Sequence, residues 1–144
     1  MPHPFEKFLE EFVPLLEKKS TQVNKAGWIL ETIGSQDAAD LKAELDTELR
    51  YLLNDGAVYQ KLVQWDKDPS LKDPILKRQL NVLLRAFQQN QVPKPLLEQM
   101  AQKEAALAQS YTQFRPELEG KKLSENAIRD ILKNENSPQR RKKA

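Results

Sequence analysis

The chain has 144 residues, a formal net charge of +2 and no cysteine. Disulfide bonds and thiolate metal sites are therefore excluded, and an apolar content of 39% is too high for a disordered chain. Four of the 23 basic residues stand together at 140–143, which leaves 19 basic residues against 21 acidic ones in the rest of the chain. This balance excludes a folded basic platform for nucleic acid.

The composition favours helices throughout. Glycine occurs only 4 times, β-branched residues are sparse, and the abundant residues are strong helix formers. Short connections between the predicted helices favour antiparallel neighbours. We therefore predict an all-α fold, an antiparallel bundle of about five to seven helices that forms a single domain over residues 1–144.

Residues 1–34 are predicted to form a first long helix. Apolar residues recur there at the three-and-four spacing of one helical face. Pro14 interrupts the pattern, so a kink or a new helical start is expected at that position. Gly34 stands where a left-handed cap would end the helix.

Residues 35–66 are predicted to form the second and third helices. Ser35 is the expected cap of the second helix, and the segment 54–56, Asn-Asp-Gly, separates it from the third. The apolar stripe of the second helix is predicted at Ala38, Leu41, Leu45, Leu49 and Leu52.

Residues 73–115 are predicted to form a helical hairpin around Pro93 and Pro95. Asp73, followed by Pro74, is a typical start signal. The apolar stripe of its first helix is predicted at Leu76, Leu80, Leu83, Leu84 and Phe87. The stripe of its second helix is predicted at Leu97, Met100, Leu107, Ala108, Tyr111 and Phe114.

Residues 115–122 are predicted to form a loop with a short extended piece. The last segment, 124–144, is predicted to hold terminal helices that Ser124 and Ser137 cap. The final helix has little room before Ala144, and a helix of about two turns has little stability alone. The pattern therefore favours a chain that is a truncated piece of a larger helical fold.

No catalytic or metal-binding residue is predicted. His3, the only histidine, is expected in a frayed terminus, and zinc sites usually need three protein ligands. The carboxylates at Asp37, Asp40, Glu44 and Glu48 follow helical spacing, with Lys42 and Arg50 nearby in sequence, and are interpreted as a solvated face. The aromatic residues are expected to pack between helices and not to stack on a ligand; they are Trp28, Trp65, Tyr51, Tyr59 and Tyr111.

No segment has the length of a membrane span, and the first 16 residues lack the uninterrupted apolar run of a signal peptide. Together with the absence of cysteine this favours a cytoplasmic protein. The basic run 140–143 has two interpretations. It is the exposed face of a helix that continues, or it is a localisation or phosphate-binding arm.

Several segments resemble, in order, the N-terminal part of angiotensin-converting-enzyme-like zinc peptidases. The segment 24–34 contains Ala26, Trp28 and Thr32 and is similar to an Ala-x-Trp-x-x-x-Thr region of that family. Further similar segments are 59–69 with Trp65 and Asp68-Pro69, 76–80, 111–124, 128–132, and the Arg-Lys-rich tail 137–144. The resemblance spans nearly the whole chain, although no single motif in it is strong.

The catalytic motif of that family, His-Glu-x-x-His with a later glutamate, is absent from the sequence. The resemblance therefore implies a supporting role. In the family, and in the related thimet and oligoendopeptidases, N-terminal helices form a lid and one wall of a channel that admits peptides. The expected function is thus a non-catalytic N-terminal lid or scaffold segment, inactive alone. Zinc and peptide substrates would be bound by the parent enzyme, and the rest of that enzyme would be the partner.

The alternative is a self-contained helical interaction module without enzymatic activity. A weaker alternative is a nucleic-acid adaptor that uses Arg140–Lys143 and binds with a strong salt dependence. A piece of a larger helical body would also expose an apolar face, so self-association at high concentration is expected.

Overall fold

The fold is described from a computed structural model that covers residues 3–144. This part of the chain forms seven helices and one two-stranded hairpin, so the predicted all-α class is confirmed. The helices are α1 (Pro4–Ile33), α2 (Gln36–Leu53), α3 (Gly56–Asp66), α4 (Pro74–Gln89), α5 (Lys94–Gln113), α6 (Glu125–Asn134) and α7 (Pro138–Lys143), and the strands are β1 (Glu117–Leu118) and β2 (Lys121–Lys122).

Local signals set most helix ends as predicted. Gly34 adopts the left-handed conformation with φ 69°, and its backbone N–H donates to the carbonyl of Leu30. The side chains of Ser35, Ser124 and Ser137 each accept a backbone N–H three residues later. These bonds satisfy donors that a helix N-terminus otherwise leaves without an intrahelical partner.

The new helical start expected at Pro14 is wrong, because α1 runs without interruption from Pro4 to Ile33 with Pro14 inside it. Proline removes one backbone hydrogen bond, the one that its N–H would donate to the carbonyl of Glu10. Both Pro14 and Glu10 are exposed, so water can satisfy that carbonyl.

Residues up to Thr112 form one compact unit, and Gln113–Ala144 form a second. The prediction of a single domain over 1–144 stays a prediction. Helices α1 to α4 of the first unit enclose an aromatic and leucine core in which Phe5, Leu62, Leu80 and Phe87 are almost fully buried. The ring centroids of Phe12 and Phe87 lie 5.5 Å apart and join α1 to α4.

His3 is the N-cap of α1. It does not lie in a frayed terminus, so that expectation was wrong. Its Nδ1 accepts the backbone N–H of Phe5 at 3.1 Å, and its backbone N–H donates to the carboxylate of Glu6 at 2.8 Å, which completes a capping box. The ring also lies edge-on to Trp65 with centroids 6.5 Å apart, and Nε2 lies 3.3 Å from Asp68.

A second apolar cluster joins α1, α2 and α5. It consists of Leu30, Ala38, Ala39 and Ala105, all buried, with Ala43 and Ala108 packed against it. The contacts along α1 and α2 run in opposite order, since Lys19 pairs with Glu48 and Leu30 packs on Ala38. The two helices are therefore antiparallel, as predicted for neighbours joined by a short turn.

In the second unit, β1 and β2 form an antiparallel pair in which Leu118 faces Lys121. The two residues between them, Glu119 and Gly120, both have positive φ, 53° and 76°, as a type I′ hairpin turn requires. This hairpin is the short extended piece predicted within 115–122.

Candidate functional surface

The carboxylates predicted on one face of α2 are exposed as expected: Asp37, Asp40, Glu44 and Glu48. Among residues 3–144 no group of three or more histidine, cysteine, aspartate or glutamate side chains is placed to hold a metal ion. None of the helices in this part of the chain has the length and apolar character needed to cross a membrane.

A buried carboxylate that the sequence reasoning missed lies on α2. Asp46 is 9% exposed and is the only buried charged side chain among the described residues. It accepts a hydrogen bond from Arg50 Nε at 2.7 Å and lies 3.5 Å from Lys42 Nζ. Arg50 in turn donates to Glu104 on α5 at 2.7 Å. The i, i+4 spacing of Lys42, Asp46 and Arg50 was the signal that could have revealed this network.

Burial alone would lower the pKa of Arg50, but the hydrogen bonds and negative charges of Asp46 and Glu104 raise it above its ordinary value. The guanidinium therefore stays charged and holds α2 to α5. Since each member of this network has an oppositely charged neighbour, we interpret it as a structural connection between helices and not as a reactive site.

Helix α5 is oriented with its alanines inward. Its buried residues are Leu97, Ala101 and Ala105. Of the stripe predicted for this helix, Leu97 is buried and Met100 and Ala108 are half-buried. The prediction was wrong for the other three, because Leu107, Tyr111 and Phe114 are 72%, 69% and 68% exposed, and Phe114 lies beyond the end of the helix.

Ala105 of α5 packs with Leu30 of α1 and Ala39 of α2 in one buried cluster. Polar contacts then hold it in place, because Tyr51 on α2 bonds to Glu98 and Lys94 Nζ lies 5.0 Å from the Tyr51 ring centroid. The hydrogen bond to Glu98 raises the pKa of Tyr51 above its ordinary value.

The outer face of α5 is consequently apolar. Leu96 and Leu107 are eleven positions apart, so they lie on one side of the helix, and their exposed fractions are 44% and 72%. A turn of about 100° per residue places Leu107 on the side away from Ala105. One helix thus has an alanine face that packs inward and a second face with large apolar side chains.

Of the residues in segment 24–34 that carry the peptidase resemblance, Trp28 and Thr32 are exposed on α1, whereas Ala26 is buried. Trp28 is 70% exposed, and Thr32 is exposed one turn later. The Thr32 hydroxyl donates to the backbone carbonyl of Trp28 at 2.8 Å. Ile33, at the end of the helix, is 69% exposed, and Trp28 lines an open groove with Thr21, Asn24, Lys25 and Ile29.

The expectation that aromatic residues pack between helices is confirmed for Trp65, Tyr51 and Tyr59, which are half-buried. It was wrong for Trp28 and Tyr111, which are mostly exposed. We refer to the exposed apolar side chains of Trp28, Ile33, Leu96 and Leu107 as the outer apolar residues of the first unit.

In the second unit the basic run is partly paired. Arg140 donates to Glu135 at 2.8 Å and lies 3.5 Å from Glu119, and Lys143 lies 3.9 Å from Glu119. The backbone N–H of Ser137, followed by the guanidinium of Arg140, lowers the pKa of Glu135 below its ordinary value. Two of the four terminal cations thus face carboxylates, which leaves a smaller charge for phosphate binding.

Comparison with known proteins gives no relative. No family model matches the chain, and no curated protein or solved structure matches it.

Proposed function

We propose that this chain is a non-catalytic helical lid or scaffold segment from the N-terminal part of a zinc-dependent peptidase that acts on peptides. In this proposal the chain is inactive alone, and the remainder of the parent enzyme binds zinc and carries out hydrolysis. The sequence resemblance around Trp28 and Trp65 motivates the choice of enzyme class. The cytoplasmic location expected from the sequence remains part of the proposal.

The two-sided helix α5 is the observation that carries the scaffold role. Packing by alanine directs Leu107 outward at 72% exposure, while Trp28 and Ile33 on α1 are exposed at 70% and 69%. Burying such a side chain contributes roughly 1.5–3 kcal/mol. Elements that covered these side chains would therefore gain this amount for each one buried, and large exposed apolar surfaces commonly mark interaction sites.

The occupant that we propose for this surface is the remainder of the same enzyme. Lid and wall helices of a channel must pack on the body that carries the catalytic residues, and an apolar outer face provides that packing. The same face also predicts self-association of the isolated chain at high concentration, which light scattering at millimolar protein would detect.

A zinc-dependent peptidase assay tests the enzyme class. The chain alone is compared with the full reading frame that contains it, with a quenched fluorescent peptide as substrate and with or without a chelator. We expect no activity from the chain alone and chelator-sensitive activity from the full frame. A reading frame without His-Glu-x-x-His over the following several hundred residues would refute the peptidase assignment.

A binding assay tests the surface separately. The remainder of the enzyme, produced on its own, is titrated with this chain, and the double variant Trp28→Ala/Leu107→Ser should bind at least about tenfold more weakly. The control Leu15→Ser/Leu132→Ser removes two other exposed apolar side chains, 43% and 51% exposed, and should bind like the native chain. Equal loss in both variants would show that general surface polarity, and not this face, determines binding.

The alternative function is a self-contained interaction module. It is favoured by one observation, that no buried side-chain nitrogen or oxygen among the described residues lacks a hydrogen-bond partner. A natural stop codon directly after Ala144 would select this alternative, and the outer apolar residues would then contact another protein.

A further inference from the structure

Helix α4 has a second face that the core of the first unit does not use. Its inner face buries Leu80, Leu83 and Phe87. On the opposite side Ile75 and Val82 are 69% and 51% exposed. These two residues are seven positions apart, so they lie on one line along the helix, separated by about 10.5 Å.

Two arginines share this line. Arg78 and Arg85 are exposed and occupy the positions three residues after each apolar residue, so that the four side chains alternate along one seam of the helix. Within residues 3–144 neither guanidinium is in an ion pair with a carboxylate. We refer to Ile75, Arg78, Val82 and Arg85 as the α4 seam.

The charged side chains within helix α4 have one sign. Helix α4 contains Lys77, Arg78 and Arg85 and no acidic residue. The nearest carboxylate in sequence, Asp73, is the N-cap of the helix and accepts the backbone N–H groups of Ile75 and Leu76 at 2.7 and 3.1 Å. The seam therefore presents two unneutralised positive charges beside two apolar side chains.

We propose that the α4 seam binds an acidic amphipathic helix of a partner protein. Apolar side chains of the partner would pack on Ile75 and Val82, and carboxylates would pair with Arg78 and Arg85. Arginine suits this role because its planar guanidinium binds a carboxylate through two hydrogen bonds. The partner should carry apolar residues seven positions apart and acidic residues seven positions apart on the same face, which matches the spacing of the seam.

A protein helix fits the seam better than a nucleic acid does. Phosphate groups would use the two arginines, but they would leave Ile75 and Val82 without apolar contacts. The proposal also stands apart from the peptidase assignment, because it concerns a different helix and is tested on this chain alone.

The probe is a synthetic 21-residue helical peptide with leucine at every seventh position and glutamate at every seventh position on the same face, labelled with fluorescein. Its binding to the chain is measured by fluorescence anisotropy. A second probe has glutamine in place of glutamate. We expect the acidic probe to bind at least about tenfold more tightly, equivalent to about 1.4 kcal/mol, and to bind more weakly at high salt.

Variants of the chain locate the site. Arg78→Glu/Arg85→Glu and Ile75→Ser/Val82→Ser should each weaken binding of the acidic probe at least about tenfold. The control Lys18→Glu/Lys61→Glu makes the same change in net charge at two exposed lysines on α1 and α3 and should alter binding less than about twofold. Circular dichroism verifies that each variant keeps its helix content, which is expected since all altered residues are exposed.

Three results would overturn the proposal. The first is equal binding of the acidic and glutamine probes. The second is an equal loss in the arginine and lysine variants, which indicates attraction by overall charge alone. The third is tighter binding of a single-stranded or duplex oligonucleotide than of the acidic probe, with loss in the arginine variant only, which would assign the seam to nucleic acid.

Discussion

Replacing Ala105 by leucine tests which side of α5 faces the first unit. Ala105 is 4% exposed and packs in one cluster with Leu30, Ala38 and Ala39. Leucine would place additional carbon atoms where α5 meets α1 and α2. Overpacking of this kind costs typically 1–3 kcal/mol, whereas the difference in helix propensity between alanine and leucine is only a few tenths of a kcal/mol.

Two neighbouring substitutions complete the test. Ala106→Leu adds the same atoms on the exposed side, and Leu107→Ala removes them from a residue that is 72% exposed. Each should change the free energy of unfolding by no more than about 0.5 kcal/mol. Ala105→Leu and Ala106→Leu thus make the same chemical change on different sides of α5, and Leu107→Ala makes the reverse change on the exposed side.

Urea denaturation followed by circular dichroism at 25 °C provides the measurement. For a slope of about 2 kcal/mol/M, Ala105→Leu should lower the midpoint by about 0.5–1.5 M, and the other two variants should shift it by less than about 0.25 M. If Ala105→Leu were neutral and Leu107→Ala cost 2 kcal/mol or more, the large side chains would face inward and the outer apolar residues would not exist as a surface.

Phe87→Ala removes a fully buried ring next to Phe12 and should lower the free energy of unfolding by about 3–5 kcal/mol in the same assay; a loss under 1 kcal/mol would contradict the core assignment. His3→Ala removes the N-cap of α1 and should cost about 1 kcal/mol, and His3→Asn should recover most of it, because asparagine also caps helices. If His3→Ala, His3→Asn and the native chain were equally stable, the cap would contribute nothing to the free energy of unfolding. The pKa of Asp68 is lowered by the backbone N–H of Ser70, then by the Ser70 hydroxyl and by His3. A lowered folded-state pKa stabilises the protein above the ordinary aspartate pKa, near pH 4, and this contribution is lost as the pH falls through the lowered value. Urea titrations between pH 2 and 6 should therefore find Asp68→Asn less stable than the native chain only in the upper part of this range. Equal stability of the two chains at pH 6 would show that the contacts of the Asp68 carboxylate do not stabilise the fold.

Helix ends could be predicted from the sequence because the interactions that set them are local. The side chain of Ser35 reaches a backbone N–H three residues away, and the left-handed conformation at Gly34 requires little more than the absence of a side chain. These features depend on neighbours in the chain, so a single sequence contains all the information needed.

The orientation of α5 could not be predicted in the same way. Its alanines and its large apolar residues occupy different faces, and periodicity alone does not say which face packs inward. The large residues were expected in the core because they gain more from burial. In the structure Ala101 and Ala105 are buried instead, and Ala105 packs with Leu30 and Ala39.

Partners that are distant in sequence account for the other differences. His3 was expected to be frayed, but Trp65 and Asp68, which are 62 and 65 positions later in the sequence, lie beside it in the fold. Asp46 likewise becomes buried through a network that extends to Glu104. The i, i+4 spacing on α2 indicates the pairing of Asp46 with Arg50, but no local pattern predicts the contact of Arg50 with Glu104 or those of His3.

The two tryptophans occupy contrasting environments. Trp28 is largely in water, whereas Trp65 is half-buried with its ring centroid 5.6 Å from those of Phe5 and Phe8. Their intrinsic emission should therefore differ, with Trp28 emitting at longer wavelength and being accessible to a quencher such as acrylamide. A protein that covers the outer side of α1 would shield Trp28 from the quencher and leave the emission of Trp65 unchanged. The intrinsic fluorescence of the native chain would therefore report binding at this side of α1.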